Sequence, residues 1–189
     1  AISSDSEENE IAFQFEDIYI HENNDVYPRA FLVNNFEIVE ADTAQEYLLQ
    51  NPDFNLRQNV ILEEELSDEL ISKLSSSNLN ELGNADIISY EANNVMIETI
   101  SDEATLLILT DVYYPGWKAF IDGAETKIYR ADGLVRAVFV PEGNHTVEFV
   151  YLPESYSVGI TISVVSAIIL GIFYLFYKNN HVREEFEKK

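Results

Sequence analysis

Residues 85–100 read ADIISYEANNVMIETI, and residues 104–114 continue ATLLILTDVYY. Two strand-like runs flank Asn93-Asn94, a dipeptide suited to a hairpin turn. The following run has a continuous apolar centre, Leu106 to Leu109, which predicts a strand buried on both faces. Downstream, WKAFIDGAETKIYR (Trp117–Arg130) carries Asp122-Gly123, the strongest short hairpin signal in the chain. LVRAVFVP (Leu134–Pro141) and HTVEFVYLP (His145–Pro153) both alternate, joined through Pro141-Glu142-Gly143-Asn144. Upstream, strand-like alternation runs from Ile11 to Ile20, and HENNDVYP (His21–Pro28) reads as a turn region. RAFLVNNFEIVE (Arg29–Glu40) reads as two short strands broken at Asn34-Asn35, and Val60–Leu62 as another. Many short strands separated by turns predict a mainly β fold, an antiparallel β-sandwich of the jelly-roll or immunoglobulin-like kind.

A small helical insertion interrupts the strands. TAQEYLLQ (Thr43–Gln50) has Thr43 at the N-cap position, Glu46 three residues on, and Asn51-Pro52 as its stop. LSDELISKLSSSNLNELG (Leu66–Gly83) stays open between helix and loop. Its leucines have helical spacing, and its serine run favours a loop.

The end of the chain changes character. Ser157–Tyr177 reads SVGITISVVSAIILGIFYLFY, without one charged side chain. About 20 helical residues span roughly 30 Å, the hydrocarbon thickness of a bilayer. The tail KNNHVREEFEKK follows. The expected organisation is an acidic linker at 1–10, a sandwich domain at 11–155, a membrane helix at 156–177 and a tail at 178–189. Lys178, Arg183, Lys188 and Lys189 make the tail locally basic, so the positive-inside rule puts it in the cytoplasm and the domain outside the cell membrane. Within the helix, Ser163 and Ala167 form a small-xxx-small spacing that permits close helix packing.

The chain has 189 residues, with 34 acidic and 11 basic side chains and a net charge of −23. That charge argues against nucleic acid and against docking on an anionic lipid surface, because both are repelled. It is compatible with neutral glycans, cations or basic partners, and most simply reflects solubility or a saline habitat. There is no cysteine, so no disulfide holds the domain. The chain starts at Ala1, its only methionine is Met96, and it carries no signal peptide. An exported domain needs one, so an upstream signal or membrane span is expected.

Residues 110–151 read TDVYYPGWKAFIDGAETKIYRADGLVRAVFVPEGNHTVEFVY. The elements Tyr114-Pro115-Gly116-Trp117-Lys118-Ala119, Asp122-Gly123, Tyr129-Arg130-Ala131, Arg136-Ala137-Val138, Pro141, Gly143, His145 to Phe149 and Tyr151 closely resemble the C-terminal region of YfhO-type integral membrane proteins. Tyr27 to Phe31 and Pro52-Asp53-Phe54 look like upstream landmarks of the same family. Two departures are Asp132-Gly133, where the family usually has an Asn and a large residue, and Asn144, where an acid is common. The resemblance implies a polytopic parent whose membrane region is like GT-C glycosyltransferases, which use lipid-linked sugars at the outer membrane face. This chain would then be an accessory domain beside an upstream transmembrane bundle, with no catalytic residue of its own and no cofactor.

Several constellations read two ways. Tyr113, Tyr114 and Trp117 around Pro115-Gly116 form an aromatic cluster that can stack on sugar rings, with Asp111, Lys118 and Asp122 near it. The plainer reading makes Trp117 a core residue with tyrosines at its rim. Arg29, Arg130 and Arg136 can clamp a phosphate or an anionic sugar, or simply pair with acidic neighbours. His145 has no second ligand at metal spacing and reads as a strand-start residue. Glu63-Glu64-Glu65 is a charge run without calcium-loop spacing, and no metal is expected. Asn144-His145-Thr146 fits an N-glycosylation acceptor, a pattern that also arises by chance. The candidate ligand-binding set is therefore Tyr113, Tyr114, Trp117, Asp122, Arg130 and Arg136. The expected role is to position a glycan acceptor, a lipid-linked sugar or a partner at the outer membrane face. The alternative is a structural or carbohydrate-binding ectodomain on a single span.

Overall fold

The computed structural model describes residues 11–15, 18–21, 26–74 and 83–187. Its thirteen strands are β1 (Ile11–Phe15), β2 (Ile18–His21), β3 (Ala30–Val33), β4 (Asn35–Ile38), β5 (Asn59–Leu62), β6 (Asn84–Glu91), β7 (Asn94–Ser101), β8 (Thr105–Val112), β9 (Trp117–Ile121), β10 (Ala124–Thr126), β11 (Tyr129–Ala131), β12 (Val135–Val140) and β13 (Gly143–Tyr151). Helix α1 (Ala44–Gln50) lies between β4 and β5, α2 (Asp68–Leu74) follows β5, and α3 (Glu154–Glu187) ends the chain.

Two sheets pack as a sandwich. One has the order β10-β9-β13-β7-β6, the other β3-β8-β12-β11-β5-β4, while β1 and β2 form a separate ribbon. The physical centre is β8. Its run Leu106, Leu107, Ile108, Leu109 is fully buried. Side chains alternate across a strand, so the run divides by parity. Leu107 and Leu109 enter the core between the sheets, with Val138 and Val140 of β12, Val95 and Ile97 of β7, and Val147 and Phe149 of β13. Leu106 and Ile108 face the other side, where Val60, Leu62, Leu66 and Leu74 cover them and Leu70 and Ile71 of α2 pack alongside. The six-stranded sheet is thus buried on both faces, which is why its central strand lacks polar alternation. Each of those four β8 side chains contributes about 1.5–3 kcal/mol by leaving water.

The turns follow from local chemistry. Asp122 and Gly123 sit at φ 50° and 83°, joining β9 to β10. Asp132 and Gly133 repeat this at φ 50° and 74° between β11 and β12, a second hairpin turn that the sequence reading passed over. In the β6–β7 hairpin Glu91 pairs with Asn94, so the turn is Ala92-Asn93, one residue before the expected pair. Helix α1 forms where expected, yet Thr43 makes no side-chain cap. Its hydroxyl donates to the Glu40 carbonyl at 2.6 Å, and the buried Glu63 carboxylate instead accepts from the Ala44 N–H at 3.4 Å. Helix α1 also connects β4 to β5 as a parallel pair, the one parallel pairing among the described strands. The Leu66–Gly83 stretch resolves as helix over Asp68–Leu74, and its serine run lies outside the described residues.

Strand β13 leads almost directly into α3. Residues Glu154–Leu175 have a mean hydropathy of 2.4 and are unburied by the rest of the chain, as a membrane span requires. Thr161, Ser163 and Ser166 donate their hydroxyls to the carbonyls of Ser157, Gly159 and Ile162 at 2.8 Å. Those polar groups are thereby satisfied within the helix, where lipid offers no partner.

Candidate functional site

The site grows from one cross-strand register. Tyr151 at the end of β13 faces Trp117 at the start of β9. Their rings lie 5.4 Å apart at 47°, and Tyr114 adds a third ring 6.5 Å from Tyr151. The bend that places them is Tyr114 to Trp117. Gly116 sits at φ 102°, and its carbonyl accepts from the Leu152 N–H at 2.7 Å. A Cβ there would approach Tyr151 Cε2 at 3.0 Å and Pro153 Cα at 3.2 Å. Glycine is therefore required both by conformation and by the close approach of the chain entering α3.

Arg136 of β12 has the parity of Val138 and Val140, so it points between the sheets. It is only 3% exposed. Its guanidinium carbon lies 3.9 Å from the Trp117 ring centroid and 5.9 Å from that of Phe149. Nε donates to the Val112 carbonyl at 3.1 Å, while Nη1 is buried without a partner. Burial pulls this guanidinium below its usual pKa, and the nearby Asp111 carboxylate opposes that. Asp111 itself accepts from the Tyr90 hydroxyl at 3.0 and 3.1 Å and lies 3.5 Å from Arg29 Nη1. Arg29 also sits 4.7 Å over the Tyr90 ring.

These groups wall a cleft of about 470 Å³, lined among others by Tyr90, Asp111, Tyr114, Trp117, Arg136 and Tyr151. A neighbouring depression shares Tyr114, Trp117 and Tyr151 and runs to Leu152, Pro153 and Glu154. The cleft thus opens at the end of the sandwich from which α3, the candidate membrane span, departs. Aromatic faces beside a carboxylate, a phenol and a guanidinium can stack on a sugar ring and bond its hydroxyls.

Of the six residues singled out from sequence, Tyr114, Trp117 and Arg136 meet at the cleft. Tyr113 does not line it. Adjacent residues of an extended chain point to opposite faces, and its phenol falls within electrostatic reach of Lys127 and Arg130. Arg130 is the cross-strand partner of Arg136, a juxtaposition of like charges. It turns away to Asp42 at 2.6 Å, donates to the Gly133 carbonyl, and has Nε 3.1 Å from Glu63 Oε2. Asp122 lies at the far end of β9, about 16 Å of strand from Trp117. It accepts from His145 Nδ1 at 2.6 Å and from the Thr146 N–H at 2.9 Å. The His145 bond holds the Asp122 carboxyl below its ordinary pKa, and the same bond raises that of His145. Sequence reasoning missed Tyr90, Glu91 and Tyr151 as cleft residues, because only the strand pairing brings them to Trp117. Among the described residues no group of three His, Asp or Glu side chains converges as metal ligands would.

No curated protein and no solved structure matches the chain. A family model described as bacterial membrane protein YfhO matches residues 14–163, from the first ribbon into the membrane helix. The chain therefore belongs to the YfhO family of bacterial membrane proteins.

Proposed function

We propose that this chain is a membrane-held accessory domain that presents a sugar-binding cleft at the outer membrane face. The supporting observation is the placement of the cleft. Trp117, Tyr151 and Tyr114 offer stacking surfaces, and Asp111 and Tyr90 offer hydrogen bonds, beside the first residues of the span. Such a cleft suits the positioning of a glycan acceptor or a lipid-linked sugar for an upstream glycosyltransferase-like membrane bundle. The basic tail supports the outward orientation of the domain. No chemical step is assigned to the chain's own residues.

Trp117 is the only tryptophan, so its fluorescence reports on the cleft directly. Titrating neutral oligosaccharides into the micelle-held chain is expected to shift that emission saturably. Tyr114→Ala, at a side chain 59% exposed, should abolish the shift while the circular dichroism spectrum is unchanged. Emission that stays constant at saturating glycan would remove the binding role. A purely structural reading would then lead, favoured by the packing of Trp117 against the inter-sheet core and under Arg136.

A further inference from the structure

We propose that the cleft selects ligands bearing one negative charge on a pair of oxygens, held by Arg136. The carrier is the carboxylate of a sugar acid or the phosphodiester of a lipid headgroup, two sources of the same chemistry. This rests on the reading that the cleft is a ligand site.

Arg136 carries an unmet donor. Arg136 lines the cleft, yet among the described residues no carboxylate forms an ion pair with it. One nitrogen is satisfied by the Val112 carbonyl, and Nη1 is left buried and unpartnered. Leaving a guanidinium buried and uncompensated is costly, and an apolar side chain would cover Trp117 without that cost. The Trp117 face offsets part of the cost through its quadrupole. It does not satisfy an in-plane N–H. Asp111, on the neighbouring strand β8, is the acid that acts on Arg136, and Tyr90 and Arg29 already hold its oxygens. The guanidinium therefore has a donor left over, of the kind that the paired coplanar oxygens of carboxylates and phosphodiesters satisfy. Charge sets the upper limit. Asp111 and Glu91 line the same cleft, so a second negative charge on the ligand is repelled. A singly charged group is preferred over a phosphate monoester.

The test uses the whole chain in polyoxyethylene-ether micelles, which carry neither sugar nor phosphate. Trp117 emission is followed while glucose, glucuronate, glucose 6-phosphate and dihexanoylphosphatidylcholine are titrated separately. Glucuronate or the short phospholipid should bind roughly 10-fold or more tightly than glucose, the worth of a charged hydrogen-bonded contact. Glucose 6-phosphate should bind less tightly than glucuronate. Saturation by glucuronate assigns the sugar acid, and saturation by the phospholipid alone assigns the headgroup. Arg136→Gln should erase the preference, bringing glucuronate down to the affinity of glucose in the same variant, and Arg136→Lys should retain part of it. Equal affinity for glucose and glucuronate, with no response to the phospholipid, overturns the anion preference while the sugar-binding cleft stands. No response to any of the four overturns both. If Arg136→Gln fails to fold, the unaltered chain decides the matter, by preferring either glucuronate over both glucose and glucose 6-phosphate or the phospholipid over glucose.

Discussion

Asp132 gives the sharpest stability prediction. It occupies a left-handed turn position at φ 50°, and its Oδ1 accepts from the Ile61 N–H at 2.9 Å, tying the β11–β12 turn to β5. Burial raises its carboxyl pKa from 3.8 to about 6, and the Ile61 bond opposes the rise only in part. A carboxyl whose folded pKa is raised is held protonated more readily by the native state than by the unfolded chain. It therefore withdraws stability as pH climbs from the unfolded value through the folded one. At 1.36 kcal/mol per pKa unit the loss reaches about 3 kcal/mol above pH 7. Asparagine keeps the accepting oxygen, tolerates positive φ and carries no charge. Asp132→Asn is thus expected to stabilise the protein by about 3 kcal/mol at pH 7.5 and by roughly half that at pH 5. Thermal melts followed by circular dichroism, on both proteins in the same micelles across that range, measure the difference. At roughly 2–4 °C per kcal/mol for a domain of this size the shift is easily read. A gap that does not grow with pH, or a less stable Asn variant at pH 7.5, would refute the assignment of a buried, strained charge.

Three further outcomes follow from the geometry. Gly116→Ala should cost about 1 kcal/mol more than Gly123→Ala in the same melts, since both have positive φ but only the first Cβ meets Tyr151 and Pro153. Equal losses would mean that the chain entering α3 yields freely. In a proton-NMR titration His145 should show a midpoint above 6.5, which Asp122→Asn brings down. The raised folded value means the pair's contribution is complete below pH 6.5 and fades as pH rises through that midpoint; a midpoint at or under 6.5 contradicts the bond. Leu107→Ala, at the core between the sheets, should lose about 2–5 kcal/mol, and an unchanged melt would deny the central place of β8.

Much of this architecture is written locally. The unbroken apolar run at Leu106–Leu109 already implied a strand with no solvent face, and its two cores realise that. Asp122-Gly123 specified its hairpin because both residues accept positive φ. Asp132-Gly133 carried the same signal and was equally readable. Other features depend on pairing between distant segments. Nothing in Asn35–Ile38 or Asn59–Leu62 states that they run parallel. Thr43 looks like a cap, but Glu63, nineteen residues beyond Ala44, takes the Ala44 N–H at the helix N-terminus instead. At the cleft, strand parity alone would have separated Tyr113 from Tyr114. The union of Tyr90, Arg136 and Tyr151 with Trp117 needed the register of two sheets, which no local pattern contains.

The central claim is that the cleft faces outward, at the bilayer surface. Residues 1–189 contain no cysteine, so Tyr114→Cys in the protein expressed from its own gene, with any further cysteine replaced first, is an unambiguous reporter. Intact cells are treated with a membrane-impermeant maleimide before and after lysis. Labelling in intact cells, equal to that after lysis, is the predicted result. Labelling only after lysis would place the sandwich in the cytoplasm and contradict the account.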